Sequence, residues 1–217
     1  MYGNFGAVSI CISHGRCWSA NDQSLAIRTM PNSLRGHFLI AGKRLRDPNF
    51  VRTVVLMVEH GSEGAMGLVV NRPSSVTVAH ALSEHFQLPE TDDLVYVGGP
   101  VEPSALFILH NAPELDDSET PVLPGLYVGS SAQVFESVVR SSADGNPHVK
   151  FRIFSGCAGW SPGQLEGELS RGDWYHQPAN AECLFHDDPY QVWELMLQKL
   201  YEAHRILPEH PANPEWN

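Results

Sequence analysis

Two histidines, an Asn-Arg pair and a Gln/Glu couple stand where side chains could converge on a ligand. His60 and His110 each close an apolar run, and Asn71-Arg72 ends the hairpin that His60 begins. Gln164 and Glu166 follow Gly156-Cys157-Ala158-Gly159-Trp160, whose glycines permit a sharp bend. Strand ends and glycine turns are where polar side chains meet ligands. The predicted site is therefore a pocket of His60, Asn71, Arg72, His110, Gln164 and Glu166, completed by Gly98-Gly99 and Gly159-Trp160. It suits a small anion or a partner peptide. A structural reading competes with it: Asn71 and Arg72 tie down turn carbonyls, Glu166 pairs with an arginine, and Trp160 packs beneath the bend.

Other chemistries are weaker. Cys157 lies between a strand and a helix, but a nucleophilic thiol needs a base and a lowered pKa, and a packed thiol needs neither. Cys11-x-x-His14-x-x-Cys17 offers three ligands at a spacing unlike an ordinary zinc site. Cys183 and His186 point to opposite faces of a strand, and His80 and His85 diverge on a helix. No catalytic residue, metal or cofactor is predicted. Arg35, Lys43, Arg44, Arg46 and Arg52 form a local basic surplus, yet no helix-turn-helix accompanies it and no aromatics interleave with it. With a formal net charge of -11, the chain has no general attraction to nucleic acid or anionic membrane. Direct nucleic-acid binding and a cryptic acyl- or phosphate-ester hydrolase stand as the alternatives to a regulatory or interaction protein.

The elements that must position these residues read as follows. At 217 residues and 42% hydrophobic, one sizeable domain is expected over 34–207. Residues 1–33 have no clear period and read as an extension, with Met30 a later translation start; 208–217 reads as a frayed tail. Strands are predicted at 37–41, 53–59, 65–70, 94–97, 105–110, 126–128 and 149–153. Trp174-Tyr175 and 182–185 are predicted to form a second, smaller pairing. Helices are expected over 75–86, from Ser130 or Ser131 to Arg140, from a Ser161 cap through Leu169, and over 188–201. Hairpins and short turns dominate, so the fold class is α+β: a mostly antiparallel twisted sheet or partial β-barrel with flanking helices. Four cysteines do not make a disulfide framework at this length, and no apolar run approaches the ~20 residues of a membrane span. A cytoplasmic protein is expected.

Several motifs occur in order: L-R-G-H-F-L-I-A, D-P-N-F-V-R-T-V-V-L-M-V-E-H, G-A-M-G-L-V-V-N-R-P, G-G-P-V, L-F-I-L-H and G-x-A-G-W-S-P-G-Q-L-E-x-E. From Leu34 to Leu200 the chain resembles the AlgH/YqgE family. The resemblance implies a compact α+β fold with a barrel-like sheet. Members are labelled uncharacterised or, by a link to alginate control, transcriptional regulators, so it implies a regulator and no enzymatic mechanism. Ser104-Ala105 replaces a basic residue common in the family after G-G-P-V, and the loop before Asp47 is unusually basic.

Overall fold

Val54 to Val58 are all buried, as a run apolar on both faces demands, and the strand they begin, β2 (Val54–Gly61), lies inside the sheet. It is flanked by β1 (His37–Ala41) and β3 (Gly64–Val69), both antiparallel to it. The computed structural model describes residues 33–83, 92–112, 120–144, 146 and 148–203. Among these, nine strands form one open sheet with the path β4-β5-β8-β3-β2-β1-β9. Its remaining members are β4 (Pro73–Thr77), β5 (Leu94–Val97), β6 (Val101–His110), β7 (Tyr127–Gly129), β8 (Phe151–Trp160) and β9 (Trp174–Pro178). All pairings are antiparallel except β5 with β8.

The organising strand is β8. Its first half pairs with β5 (Tyr96 opposite Phe154), its second half with β3 (Met66 opposite Gly159), and β6 runs alongside from Phe151 to Cys157. Side chains alternate across a strand, and here the alternation separates two cores. Val95, Ile108 and Ile153 face a smaller core under α2 (Ala132–Ala143), which contributes Val134, Phe135, Val138 and Val139. Tyr96, Leu109 and Phe154 face the larger core, shared with α3 (Gln164–Ser170), α4 (Ala181–Leu184) and α5 (Val192–Ala203). The fifth helix, α1 (Val78–Ala81), closes the smaller core with Val78.

The α+β class and the antiparallel bias are as predicted, but the sheet ends at β4 and β9 and does not close into a barrel. Four local expectations are corrected. Pro73 to Thr77 is a strand, and the helix predicted from Ser75 begins only at Val78, with Thr77 as its N-cap. Residues 181–184 form a helix capped by Asn180, and β9 joins β1 in the main sheet instead of a second pairing. The strand entering the Gly-Trp motif does not stop at Ile153 but continues to Trp160, with its glycines inside it. Ser161 is not the N-cap of α3: Gly163, at φ 75°, precedes the helix without a side-chain cap, and Gln164 Oε1 instead accepts the Ser161 N–H at 3.1 Å. The expectations for residues 1–32, for 84–86 of the first helix, for His85 and for the 208–217 tail lie outside the described residues.

Candidate functional site

Asn71 and Arg72 serve one turn. Buried Asn71 accepts the Val54 N–H on Oδ1 (2.9 Å) and donates through Nδ2 to the Arg52 carbonyl (3.0 Å). Arg52 needs that hold, since its φ of 56° is a left-handed conformation that side chains with a Cβ disfavour. The Arg72 guanidinium donates to the carbonyls of Pro48, Asn49 and Val51 at 3.1, 2.8 and 3.1 Å. Burial holds its pKa below the ordinary arginine value, with Asp47 opposing. Arg72→Ala is expected to cost about 1–2 kcal/mol in urea unfolding, with Arg72→Lys giving little rescue, because one ammonium cannot span three fixed carbonyls.

His60 joins a different group. Its Nδ1 accepts the Leu34 N–H at 3.0 Å and its Nε2 lies 3.1 Å from Glu166 Oε1. Glu166 thus pairs with a histidine, not with an arginine. Nearby, Glu168 is buried and accepts from three donors: Trp160 Nε1 (2.9 Å) and Trp174 Nε1 (2.8 Å) on Oε2, and Gln164 Nε2 (3.0 Å) on Oε1. Phe50 packs on both indoles, 6.1 and 5.6 Å between ring centroids. The sequence reading passed over Glu168. Its signal was its place among the core positions of α3, between Leu165 and Leu169, where a carboxylate is tolerated only when hydrogen-bonded.

Gly98 and Gly99 are buried where β3, β5 and β8 meet. The Gly98 N–H donates to Ser155 O and its carbonyl accepts from Val69 N–H, each at 2.8 Å. A Cβ on Gly98 would lie 2.2 Å from the Gly156 carbonyl oxygen, and one on Gly99 2.3 Å from the Cys157 carbonyl. The two glycine motifs are therefore the two sides of one backbone-on-backbone crossing. Gly159, also in β8, sits opposite Met66.

The predicted residues accordingly fall into separate groups. His60, Trp160, Gln164 and Glu166 come together around the end of β8 and the start of α3. Arg72 and Asn71 lie beyond the other end of β3. His110 pairs with Phe151 at the start of β8, about 30 Å along its ten residues from Trp160. It is buried, stacked on Tyr127 with centroids 5.7 Å apart. The first turn of α3 also carries Glu166, whose carboxylate disfavours an anion there. Cys157 is buried in β8 and its thiol is pushed up to about 11, chiefly by burial and further by Glu102. At pH 8 it stays protonated, so iodoacetamide is expected to leave the Cys157 peptide unlabelled by mass spectrometry until the protein is unfolded.

A cleft of about 600 Å³ opens elsewhere, between the turn before β7 and the segment from α4 to Asp187. Asn111, Pro124, Gly125 and Leu126 form one wall; Ala181, Glu182, Phe185, His186 and Asp187 form the other, with Lys150 between. The Lys150 ammonium lies 5.9 Å from the Phe185 ring centroid. Arg152, 5.9 Å from the same ring, is stacked 4.6 Å from Tyr96 and donates to the carbonyls of Val70 and His186 at 3.3 and 2.8 Å. Burial lowers its pKa, against the pull of Tyr96 and Asp187. Among the described residues, the charged atoms of Lys150, Glu182 and Asp187 make no hydrogen bond or ion pair.

Residues 38–204 match the profile of the AlgH-like family, DUF179. The chain belongs to the AlgH-like family. The UPF0301 protein CT0663 of Chlorobaculum tepidum is 34% identical to this AlgH-like chain over 182 residues, covering 84% of this chain and 95% of the relative. The UPF0301 protein Smlt1098 of Stenotrophomonas maltophilia is 38% identical over 168 residues, 76% of this chain and 87% of the relative. The solution structure of AlgH from Pseudomonas aeruginosa superposes with a TM-score of 0.64 at 35% identity, covering 82% of this chain and 93% of that one. The crystal structure of DIP2367 from Corynebacterium diphtheriae, at 22% identity and a TM-score of 0.68 over 83% of this chain and 94% of that one, shares the fold. In this AlgH-like chain Asn71-Arg72 hold a turn, Gly98-Gly99 cross Gly156-Cys157, and Glu168 joins Trp160, Trp174 and Gln164.

Proposed function

We propose that this AlgH-like chain is a non-enzymatic regulatory protein of the cytoplasm that acts by binding a small ligand or short peptide in the cleft around Lys150. One observation carries the reading. The Arg72 and Glu168 side chains are engaged in holding the fold, whereas Lys150, Glu182 and Asp187 line one cleft and their charged atoms make no hydrogen bond or contact ion pair among the described residues. Charged groups left without partners in a concave site are free to bind a ligand. The buried free thiols of Cys157 and Cys183 suit a reducing compartment. No helix among the described residues is long and apolar enough to cross a membrane.

A nucleic-acid partner is less favoured, because part of the basic surplus is engaged within the protein: Lys43 lies 4.9 Å from the Tyr201 ring, Arg52 is paired with Glu194 and Arg35 donates to the Val58 and Thr120 carbonyls. A thermal-shift screen with amino acids, short peptides, carboxylates and phosphates tests the proposal. A ligand at about 100-fold its Kd should add about 2.7 kcal/mol of stability. That gain should vanish in Ala181→Trp, which fills the cleft, and persist in Glu166→Gln in the first turn of α3. Absence of any stabilising compound, or the opposite pattern of variants, contradicts it.

A further inference from the structure

We infer that the cleft takes a small zwitterion with an apolar body, a free amino acid or a short unblocked peptide. The inference rests on the binding reading above and names its ligand class. Two signs of charge line one cavity: the ammonium of Lys150 and the carboxylates of Glu182 and Asp187. Among the described residues no ion pair within 4.0 Å joins Lys150 to either acid; Asp187 feels the Arg152 guanidinium as well, which leaves Glu182 the acid less compensated. A ligand of one sign would meet a like charge on entering. A ligand that carries both a carboxylate and an ammonium satisfies both.

A second cation is fixed nearby. The Arg152 guanidinium lies 5.9 Å from the Phe185 ring and is tied to two carbonyls, and its charge acts on Asp187. The same cleft has apolar lining: buried Leu126 and half-buried Phe185 can cover an aliphatic side chain. The volume, about 600 Å³, lies in the range of small-ligand sites and admits more than a bare anion. The chemistry therefore selects for two opposite charges with a hydrocarbon group beside them.

Isothermal titration calorimetry with the dipeptide alanyl-leucine tests this, using the free peptide, its N-acetyl form, its C-terminal amide and the doubly blocked form. Blocking either end is expected to weaken binding by about tenfold or more, the loss of one charge-assisted contact. Lys150→Gln should weaken the free peptide by about the same factor and leave the C-terminal amide almost unchanged. Glu182→Gln combined with Asp187→Asn should do likewise for the free peptide and spare the N-acetyl form. All these positions are exposed, and unchanged thermal unfolding would verify that the variants keep the fold. Equal affinity of free and doubly blocked dipeptide overturns the zwitterion inference while leaving the cleft a binding site. Absence of binding by every form also overturns it, and the Ala181→Trp comparison in the compound screen then decides the binding reading on its own.

Discussion

Alanine at Gly98 or Gly156 is expected to lower the unfolding free energy by about 3 kcal/mol. At Gly98 the added carbon would sit 2.2 Å from a backbone oxygen, and at Gly156 2.6 Å from the Gly99 carbonyl oxygen. Neither neighbour is the end of a flexible side chain, so relief requires the strands themselves to move. Gly156 also has a φ of 71°, which adds the cost of a left-handed conformation for a residue with a Cβ. The crossing is where β8 changes partner from β5 to β3, so a shift there disturbs pairings on both sides. Urea unfolding should show a lower midpoint with little change in slope. Gly61→Ala is the control: nothing lies within 4 Å of its added carbon and its φ is ordinary, so its stability should move by less than about 1 kcal/mol.

The second large effect belongs to Glu168. Glu168→Leu keeps much of the volume but leaves the indole N–H groups of Trp160 and Trp174 without an acceptor in the core. Each buried donor left unmet costs about 1–3 kcal/mol, so a loss of about 3–5 kcal/mol is expected. Glu168→Gln keeps one carbonyl oxygen that can serve an indole, and should retain a sizeable part of the stability. The near-ultraviolet circular dichroism of the two tryptophans would report the same ranking, with Glu168→Leu altering the aromatic signal most. If Glu168→Leu were as stable as the parent, the hub would not hold the indoles as described. His60→Ala is a lesser companion, losing the bonds to Leu34 and Glu166 at the same end of the sheet.

The strands and helices were legible where period and caps agreed. The apolar run at Val54 to Val58 marked an interior strand, and Ser131 capped α2 as its side chain suggested. The Gly-Cys-Ala-Gly run was misjudged for a physical reason: glycine marks both sharp turns and places where two backbones touch, and a single sequence does not reveal which. Only the meeting of Gly98-Gly99 with Gly156-Cys157 decides it. Asn71 and Arg72 were readable in type but not in direction, since an arginine beside a turn serves carbonyls or anions equally well. The cleft was not visible at all. Its charged members, Lys150, Glu182 and Asp187, sit in unremarkable local sequence and are brought together by the packing of α4 beside the start of β8.

The central division, with the motif residues holding the fold and the cleft binding the ligand, can be tested in one spectrum series. Backbone amide chemical shifts of the protein are followed by NMR during titration with alanyl-leucine. The expected result is a localised set of shifts at Gly125, Leu126, Lys150, Phe185 and Asp187, with Gly98, Gly156, Trp160 and Gln164 unmoved. Shifts concentrated instead at Gly156 to Gln164 and Gly98-Gly99 would contradict the account and return the binding role to the motifs.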